Sequence, residues 1–568
     1  VVYTFPSSRL YSACIGIQQA QPPRIDRGFM VSDQQLSIDV LLDRISPENA
    51  QPLRQKQTPP TIDNEQTAQQ WVANRPEQTS VQAAIDLYQA LPQIIDLDID
   101  ASSKLAILEA IYPQLIQCTD RLLNTQLNQN TAKAVSLGQA LIRQIYRGYK
   151  SLVIKLGREE HSDGEQLSQS ILRSCQLLAQ IQRNSLTHYM ARPNYFWRDL
   201  HGLYLLACEL QIQHQKNHCS ENSGSIHNIY LKLLLINCTR PNHFSNYELN
   251  YIYTELDFWA SMTDLHRGSR GGLFVVDTSS NQGPVYSDNT ALKPENFILD
   301  TFNLVKFLNN SLLEKSNHNL FSDRISRRVL VDLARQWGEK ITRRETHILD
   351  RARVNLACGL NSAVCMLAAT ESFDAFLELC GQPANKQPLT VDRTPKSLAG
   401  SNLDDPVLFA GPYKKTTKIN PVQGLRINTS LNGACVELME DQTAMQPGKT
   451  IALQTNTSQR WTAGIVRWKQ ITPSLNVICG IQFPAKYSAA AAIRSFKRSD
   501  NTNGDFMQAV ILSPSADFAQ ETSLLCPALR YQRGGKIQLL TASHQYSAIL
   551  LEELETTEHL SHFKIAIY

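Results

Sequence analysis

Near residue 350 the apolar residues stop recurring at the three- and four-residue steps of a helix and begin recurring at the two-residue step of a strand. A chain with both periods in separate blocks cannot be all-α or all-β, and it folds as consecutive modules of different class. Upstream, Val81, Ala84, Ile85, Tyr88 and Leu91 share one helical stripe, as do Leu105, Leu108, Ile111, Leu115 and Cys118, with Pro113 placed to kink or break the second. The same period runs through 134–149, 167–181, 200–207 (with Pro193-Asn194 as a start signal), 226–238, 247–260, 301–313 and 324–337. That predicts about nine helices paired as antiparallel hairpins, bundled or stacked. Residues 271–277 read as one short strand among them.

Downstream, the segments 425–428, 434–438, 450–454, 462–468 and 477–483 are short, rich in β-formers and punctuated by Gly433, Pro447-Gly448 and Pro473. Val477, Cys479, Ile481 and Phe483 fall on one face and Ile478, Gly480 and Gln482 on the other. Strands this short and close predict a small barrel or sandwich. A further β texture follows at 509–512, 536–540, 547–551 and 563–568, with a turn at Arg533-Gly534-Gly535-Lys536 and a linker at 499–504. The expected protein is α+β and multidomain. A tail and linker without fixed structure covers 1–62, an α-helical domain 63–340, a small β-barrel with an insertion 341–487, and a small β-rich module 500–568.

Composition removes several function classes. Lys plus Arg is 55 against 52 Asp plus Glu, a formal charge of +3, too balanced for a large phosphate-backbone binder, so DNA is not expected as a partner. No run approaches the roughly 18 apolar residues of a membrane span. The 12 cysteines contain no Cys-x-x-Cys pair and read as reduced, which predicts a cytoplasmic protein. His214 and His218 share a helix face beside Cys219, but no zincin glutamate accompanies them, and a solvated helix end is the expectation rather than a metal site. Gly268-Ser269-Arg270-Gly271-Gly272 lacks the Lys-Ser/Thr of a phosphate loop. No catalytic set can be assembled from spacing, so no enzyme and no cofactor are expected.

The informative segment is Asn428-Thr429-Ser430-Leu431-Asn432-Gly433. Asn428 and Ser430 are two apart on extended chain and leave the same face, while Gly433 frees the backbone to turn into the next strand. An amide and a hydroxyl on a barrel rim suit the donor edge of a guanine. The plainer alternative is a turn capped by its own side chains.

Together with Gly464, Val466, Arg467 and Trp468 and then Gly480, Ile481 and Phe483, this run resembles the PilZ domain, a small β-barrel family that binds cyclic di-GMP. Its [Asp/Asn]-x-Ser-x-x-Gly hallmark falls on Asn428, Ser430 and Gly433. The resemblance implies a second motif, Arg-x-x-x-Arg, ahead of the barrel, whose guanidinium forks grip guanine edges and phosphates. The best-placed residues are Arg343 and Arg344, just before the strand-like 353–358, with His347 standing in the second arginine slot. The literal match, Arg324 and Arg328, lies in a helical pattern and is expected on a solvated helix face. The interval from His347 to Asn428 is longer than the simple domain allows, which makes 363–415 an insertion, helical around 375–380.

The helical N-terminal region and β-rich tail are similar to the longer PilZ proteins linked to type IV pili and surface attachment, through Trp197-Arg198-Asp199-Leu200-His201, Leu256-Asp257-Phe258-Trp259-Ala260 and Ala334-Arg335-Gln336-Trp337. The resemblance implies a cyclic di-GMP receptor that binds through Arg343, Arg344, His347, Asn428, Ser430, Gly433 and Arg467 and couples to an unidentified protein partner through the helical domain. The alternative, motivated by His347, is a ligand-free scaffold acting in protein–protein interaction.

Overall fold

The computed structural model describes residues 37–45, 62, 64–73, 80–124, 131–159, 163–215, 224–268, 272–287, 293, 296–313, 325–341, 346–383, 419–439, 445–456, 458, 460–472, 474, 476–495, 505–514, 522–528 and 531–568. From Ile38 to Tyr568 the chain forms one unit. Its helices begin with α1 (Ile38–Arg44), α2 (Glu65–Ala73), α3 (Ser80–Ile95), α4 (Ala101–Asn124) and α5 (Thr131–Arg158). Then come α6 (Gly164–Thr187), α7 (Phe196–Glu209), α8 (Ile226–Cys238) and α9 (Asn246–Ala260). The helix α1 falls inside the expected linker: Leu41, Leu42 and Ile45 are fully buried, against glycines at 157 and 202 whose missing side chains leave room for them.

Pro113 does not break α4, which runs unbroken through it. The proline removes the amide that would donate to the Glu109 backbone carbonyl, while the Glu109 side chain on the same turn is held by neighbouring helices. Arg173 of α6 grips the Glu109 carboxylate through Nε (2.9 Å) and Nη2 (2.7 Å), and the Tyr149 hydroxyl of α5 donates to it at 2.7 Å. Deeper in, Lys150 Nζ and the Tyr146 hydroxyl both donate to Asp199 Oδ2, at 2.6 and 2.8 Å, with the aspartate wholly buried. A charge that far from water survives by being paired and hydrogen-bonded.

The single strand expected at 271–277 is one of four. Strands β1 (Asp264–Arg267), β2 (Phe274–Val276), β3 (Val285–Tyr286) and β4 (Phe297–Asp300) form a sheet in the order β1-β4-β2-β3. All are too short for periodicity to show. Helices α10 (Phe302–Leu313) and α11 (Arg327–Gly338) follow, and Trp337 packs edge-to-face on Trp259 while donating to the Leu235 carbonyl at 3.0 Å. Arg328 is not on a solvated face: it pairs with Glu248 of the α9 capping box and with Asp332. Arg324 lies outside the described residues.

Strand β5 (Ile348–Cys358) opens the first barrel, and α12 (Leu360–Ala368) and α13 (Phe373–Leu379) follow it. Then come β6 (Val422–Ser430), β7 (Gly433–Leu438), β8 (Thr450–Thr455), β9 (Thr462–Ile471) and β10 (Val477–Gln482). They close in the order β10-β7-β6-β5-β8-β9 around Val354, Leu356, Val436, Leu438, Val466 and Cys479. A second closed barrel, β11-β12-β13-β16-β15-β14, contains β11 (Tyr487–Ser495), β12 (Met507–Ser513), β13 (Ser523–Cys526), β14 (Lys536–Leu540), β15 (Gln545–Thr556) and β16 (Ser561–Ile567). The C-terminal module therefore begins at Tyr487, the expected end of the middle barrel, and takes the rest of its first strand from residues ahead of the expected linker that belong to neither expected module.

The insertion helices fill the space between the barrels. Ala363, Val364, Phe373 and Phe376 bury against Ala452 and Ala463 of the first barrel and Ala490, Ala492 and Val510 of the second. The run Ala489–Ala492 keeps one face of β11 small, so that a helix backbone can approach it, while Ala491 and Ile493 point into the second barrel.

Burial pushes His188, His201, His227, His243 and His562 each down to about 4, so these rings are neutral in the fold. In the unfolded chain they take protons from their ordinary 6.5 downward. The unfolded state therefore binds more protons between those values, and stability present above pH 6.5 is lost as pH falls toward 4. Equilibrium denaturation at stepped pH is expected to show the midpoint dropping steadily across that window; a flat profile would contradict neutral, buried imidazoles.

Candidate functional site

The outer face of the first barrel is set by bulges. Along β6, Gly424 and Arg426 pair with the inward Val354 and Val436, so unbroken alternation would carry position 428 inward as well. A bulge between Arg426 and Asn428 shifts the register, and Asn428 pairs with the outward Cys435 while Ser430 pairs with Gly433. Asn428 and Ser430 thus share the outer face, as their spacing predicts.

Gly433 is required at its place: a side chain there would begin 2.9 Å from the Ile481 carbonyl and 3.4 Å from Ser430 Oγ. The Ser430 hydroxyl makes no hydrogen bond among the described residues. Thr429 turns its own hydroxyl to the Gly433 carbonyl at 3.1 Å, which tightens the turn without using Ser430.

His347, immediately ahead of β5, places Nδ1 3.2 Å from Asn428 Oδ1 and is exposed to solvent. The segment before the barrel and the Asn-x-Ser strand therefore meet. Arg343 and Arg344 lie outside the described residues. Beside His347 stand Ile348 and Leu349, 67% and 83% exposed, which is unusual for large apolar side chains on a strand.

Register extends the site across five strands. Leu349 pairs with Asn428, Asn428 with Cys435, Cys435 with Gly480 and Gly480 with Trp468, so one outer row runs β5-β6-β7-β10-β9. The Trp468 indole lies directly on Gly480, where a side-chain carbon would fall 2.0 Å from its Nε1. The row offers an apolar end, an amide and a flat aromatic end, suited to a planar heterocycle with hydrogen-bonding edges. Sequence reasoning missed Leu349 and Cys435 as members, since only strand register makes them neighbours of Asn428.

Arg467 has a different surrounding. It is the extra residue of the β9 bulge opposite Gly480 and Ile481. Its Nε donates to Gln482 Oε1 at 2.6 Å and its Nη1 to Glu555 Oε1 of the second barrel at 2.5 Å. Burial raises the Glu555 carboxyl, but the hydrogen bond and charge of Arg467, with Arg328 beyond, outweigh it and hold that carboxyl below its ordinary range.

Elsewhere, His214 packs its ring against His227 at 4.6 Å, and His218 and Cys219 lie outside the described residues. Among the described residues no group of three or more His, Cys, Asp or Glu is placed to hold a metal ion, and every described cysteine is free. Among them, too, no helix is long and apolar enough to cross a membrane.

A closed barrel with an Asn-x-Ser-x-x-Gly turn on its outer face, entered by a segment whose His347 meets that turn, defines a PilZ domain, here set between a helical region and a second barrel. Three family models match the chain in that order: the N-terminal domain of the cyclic-di-GMP receptor FimW over 66–269, its middle PilZ domain over 273–405, and its C-terminal β-barrel domain over 491–567. The chain belongs to that family. The cyclic-di-GMP receptor FimW of Pseudomonas aeruginosa is 22% identical over 548 residues, 87% of this chain and 89% of its own length. No solved structure matches. The middle match ends ahead of β6, so the strands carrying Asn428 to Phe483 join the PilZ barrel by their pairing with β5.

The two glycines separate packing from the site. Gly433→Ala meets a backbone carbonyl and is expected to cost about 1–3 kcal/mol in denaturant titration. Gly480→Ala meets a movable indole, so it is expected to red-shift the emission difference between the protein and Trp468→Phe with little loss of stability. An unmoved spectrum would contradict the stacked indole.

Proposed function

We propose that this protein is a receptor for cyclic di-GMP. It takes the dinucleotide on the outer face of the middle barrel and passes the event to a protein partner through the helical region, in the control of pili or surface attachment. The observation that carries this reading is the 3.2 Å approach of His347 to Asn428 beside the open hydroxyl of Ser430. It brings together residues 81 apart in sequence, which supports a single site built from both parts of the motif. The name of the Pseudomonas aeruginosa relative supports the same ligand.

Each residue has a task that its chemistry fits. The guanidinium forks of Arg343 and Arg344 suit phosphodiester oxygens and the O6/N7 edge of guanine. His347 supplies a single ring donor where a second fork stands in the motif. Asn428 reads a base edge with its amide, Ser430 donates or accepts with its hydroxyl, and Gly433 lets the turn lie close. Arg467, engaged by Glu555 and Gln482, is assigned to the joint between barrels rather than to the ligand. The receptor reading assigns binding and no turnover.

Coupling runs along β9. Trp468 belongs to the outer row, Arg467 grips the second barrel, and the Ile471 amide donates to the Tyr189 carbonyl of the helical region at 2.7 Å. A shift of this strand on binding reaches both neighbours at once.

Calorimetric titration of the full chain with cyclic di-GMP is expected to give saturable binding at micromolar or tighter affinity. Asn428→Ala and Ser430→Ala should each weaken it by about tenfold, the loss of about 1.4 kcal/mol, and His347→Arg should strengthen it. Absence of saturable binding ends the receptor reading. For the joint, a double-mutant cycle of Arg467→Ala and Glu555→Gln should give a coupling of about 1–3 kcal/mol in stability; zero coupling would remove the link.

A further inference from the structure

We propose that the mouth of the middle barrel is a second and separate site, built for a nucleoside phosphate. A cavity of about 450 Å³ opens there, lined among others by Arg426, Leu453, Arg460, Thr462, Phe483 and Lys486. That volume is within the range of small-ligand pockets. Three cations face it and one carboxylate answers them: Arg426 pairs with Asp350, while Arg460 and Lys486 have no carboxylate partner among the described residues.

The two unpaired cations are positioned together. The Arg460 guanidinium lies 4.9 Å and the Lys486 ammonium 5.5 Å from the centroid of the same Tyr487 ring. A ring face attracts each of them, but holding two like charges against one ring beside a third cation is unfavourable until an anion enters between them. A phosphate supplies that anion, with a fork and a point charge as donors. Thr462 adds a hydroxyl. The opposite side is apolar, with Phe483 and Leu453 continuing the barrel core, and suits a flat base rather than a sugar or a peptide.

The cavity adjoins the hallmark turn, whose Leu431 and Asn432 also line it, but its cations do not belong to the outer row. Arg426 pairs with the inward Val436, and the bulge immediately after it turns Asn428 outward, so the two sites sit on opposite faces of β6. The inference does not rest on the cyclic di-GMP reading.

The test uses the full chain in calorimetric titrations with ATP, GTP, inorganic phosphate and cyclic di-GMP in separate arms. The variants are Arg460→Gln combined with Lys486→Gln, both exposed side chains whose loss leaves the core intact, and Ser430→Ala. Saturable ATP or GTP binding is expected, weakened at least about tenfold in the double variant and unchanged in Ser430→Ala. Cyclic di-GMP affinity should be unchanged in the double variant. Inorganic phosphate should bind at least about tenfold more weakly than the nucleotide and be displaced by it.

No saturable mononucleotide binding, or binding indifferent to the double substitution, overturns the proposal. Phosphate binding as tightly as the nucleotide overturns the assignment of a base pocket. Competition by cyclic di-GMP, with loss of its own affinity in the double variant, merges the cavity with the outer site and overturns its separateness. Mononucleotide binding without cyclic di-GMP binding sinks the receptor reading and leaves this one standing.

Discussion

One extra residue in β9 holds the parts of this molecule in contact. Without a bulge, strict alternation after the inward Val466 would turn Arg467 out and Trp468 in. Because Arg467 is inserted opposite the Gly480–Ile481 step, Val466 stays in the barrel core, Trp468 reaches the outer face to cover Gly480, and Arg467 leaves the sheet toward Glu555. Four residues on, Ile471 bonds the Tyr189 carbonyl and pairs in parallel with Met190 of the helical region. Core, outer face, second barrel and helical region are thus all engaged by ten residues of one strand. The barrel registers follow from that arrangement, since β9 is the strand that closes on both β8 and β10.

The joint that Arg467 enters is a competition between carboxylates for cations. Glu555 and Asp332 both lie near Arg467 and Arg328, yet they move in opposite directions. Glu555 accepts a direct bond from Arg467 and is held below its ordinary range despite burial. Burial raises Asp332 and Glu555 repels it, and the pull of Arg328 and Arg335 does not make up the difference. Arg328 is itself shared, since Glu248 holds its other nitrogen and stabilises its charge against burial. The helix cap of α9, the face of α11 and the second barrel are therefore linked by alternating charge, and His243 and His562, buried beside the same cations, are kept neutral. Removing any one member leaves a charge unpaired in a poorly solvated place, which is costly where the intact set is not.

Much of this architecture is legible in the sequence because the long elements carry strong periods. The helix at 226–238 and the strand at 536–540 agree with the structure at both ends, and the inward set Val477, Cys479 and Ile481 is as alternation requires. Strand β13 is four residues long, and the sheet of β1 to β4 has strands of two to four residues, below the length at which a period can be read. Strand β11 was hidden for another reason: its alanine run carries little hydrophobic signal, since it is small to admit α12. Pro113 misleads because α4 is packed along its length by its neighbours, with Arg173 and Tyr149 holding the Glu109 side chain on the same turn, and the loss of one amide donor does not end it. At the site, the spacing of Asn428 and Ser430 gives their common face, but the membership of Leu349 and Cys435 depends on register, and the partner of Arg467 on a fold-level contact 88 residues away.

The bulge in β6 has a consequence that the motif alone does not carry. Arg426 and Asn428 are two apart, the spacing that normally puts side chains on one face, yet they serve opposite sides of the sheet. If the strand were regular, either the arginine would leave the barrel mouth or the asparagine would turn away from His347. The long-chain donor would then compete with the amide for the same ligand atoms, and Asp350, which now neutralises Arg426 at the mouth, would bring a carboxylate beside the outer row. A phosphodiester is repelled by a carboxylate at contact distance, so keeping Asp350 occupied on the inner side favours an anion outside. The spacing of Asn428 and Ser430 thus gives them the outer face only because the strand breaks its own alternation just ahead of them.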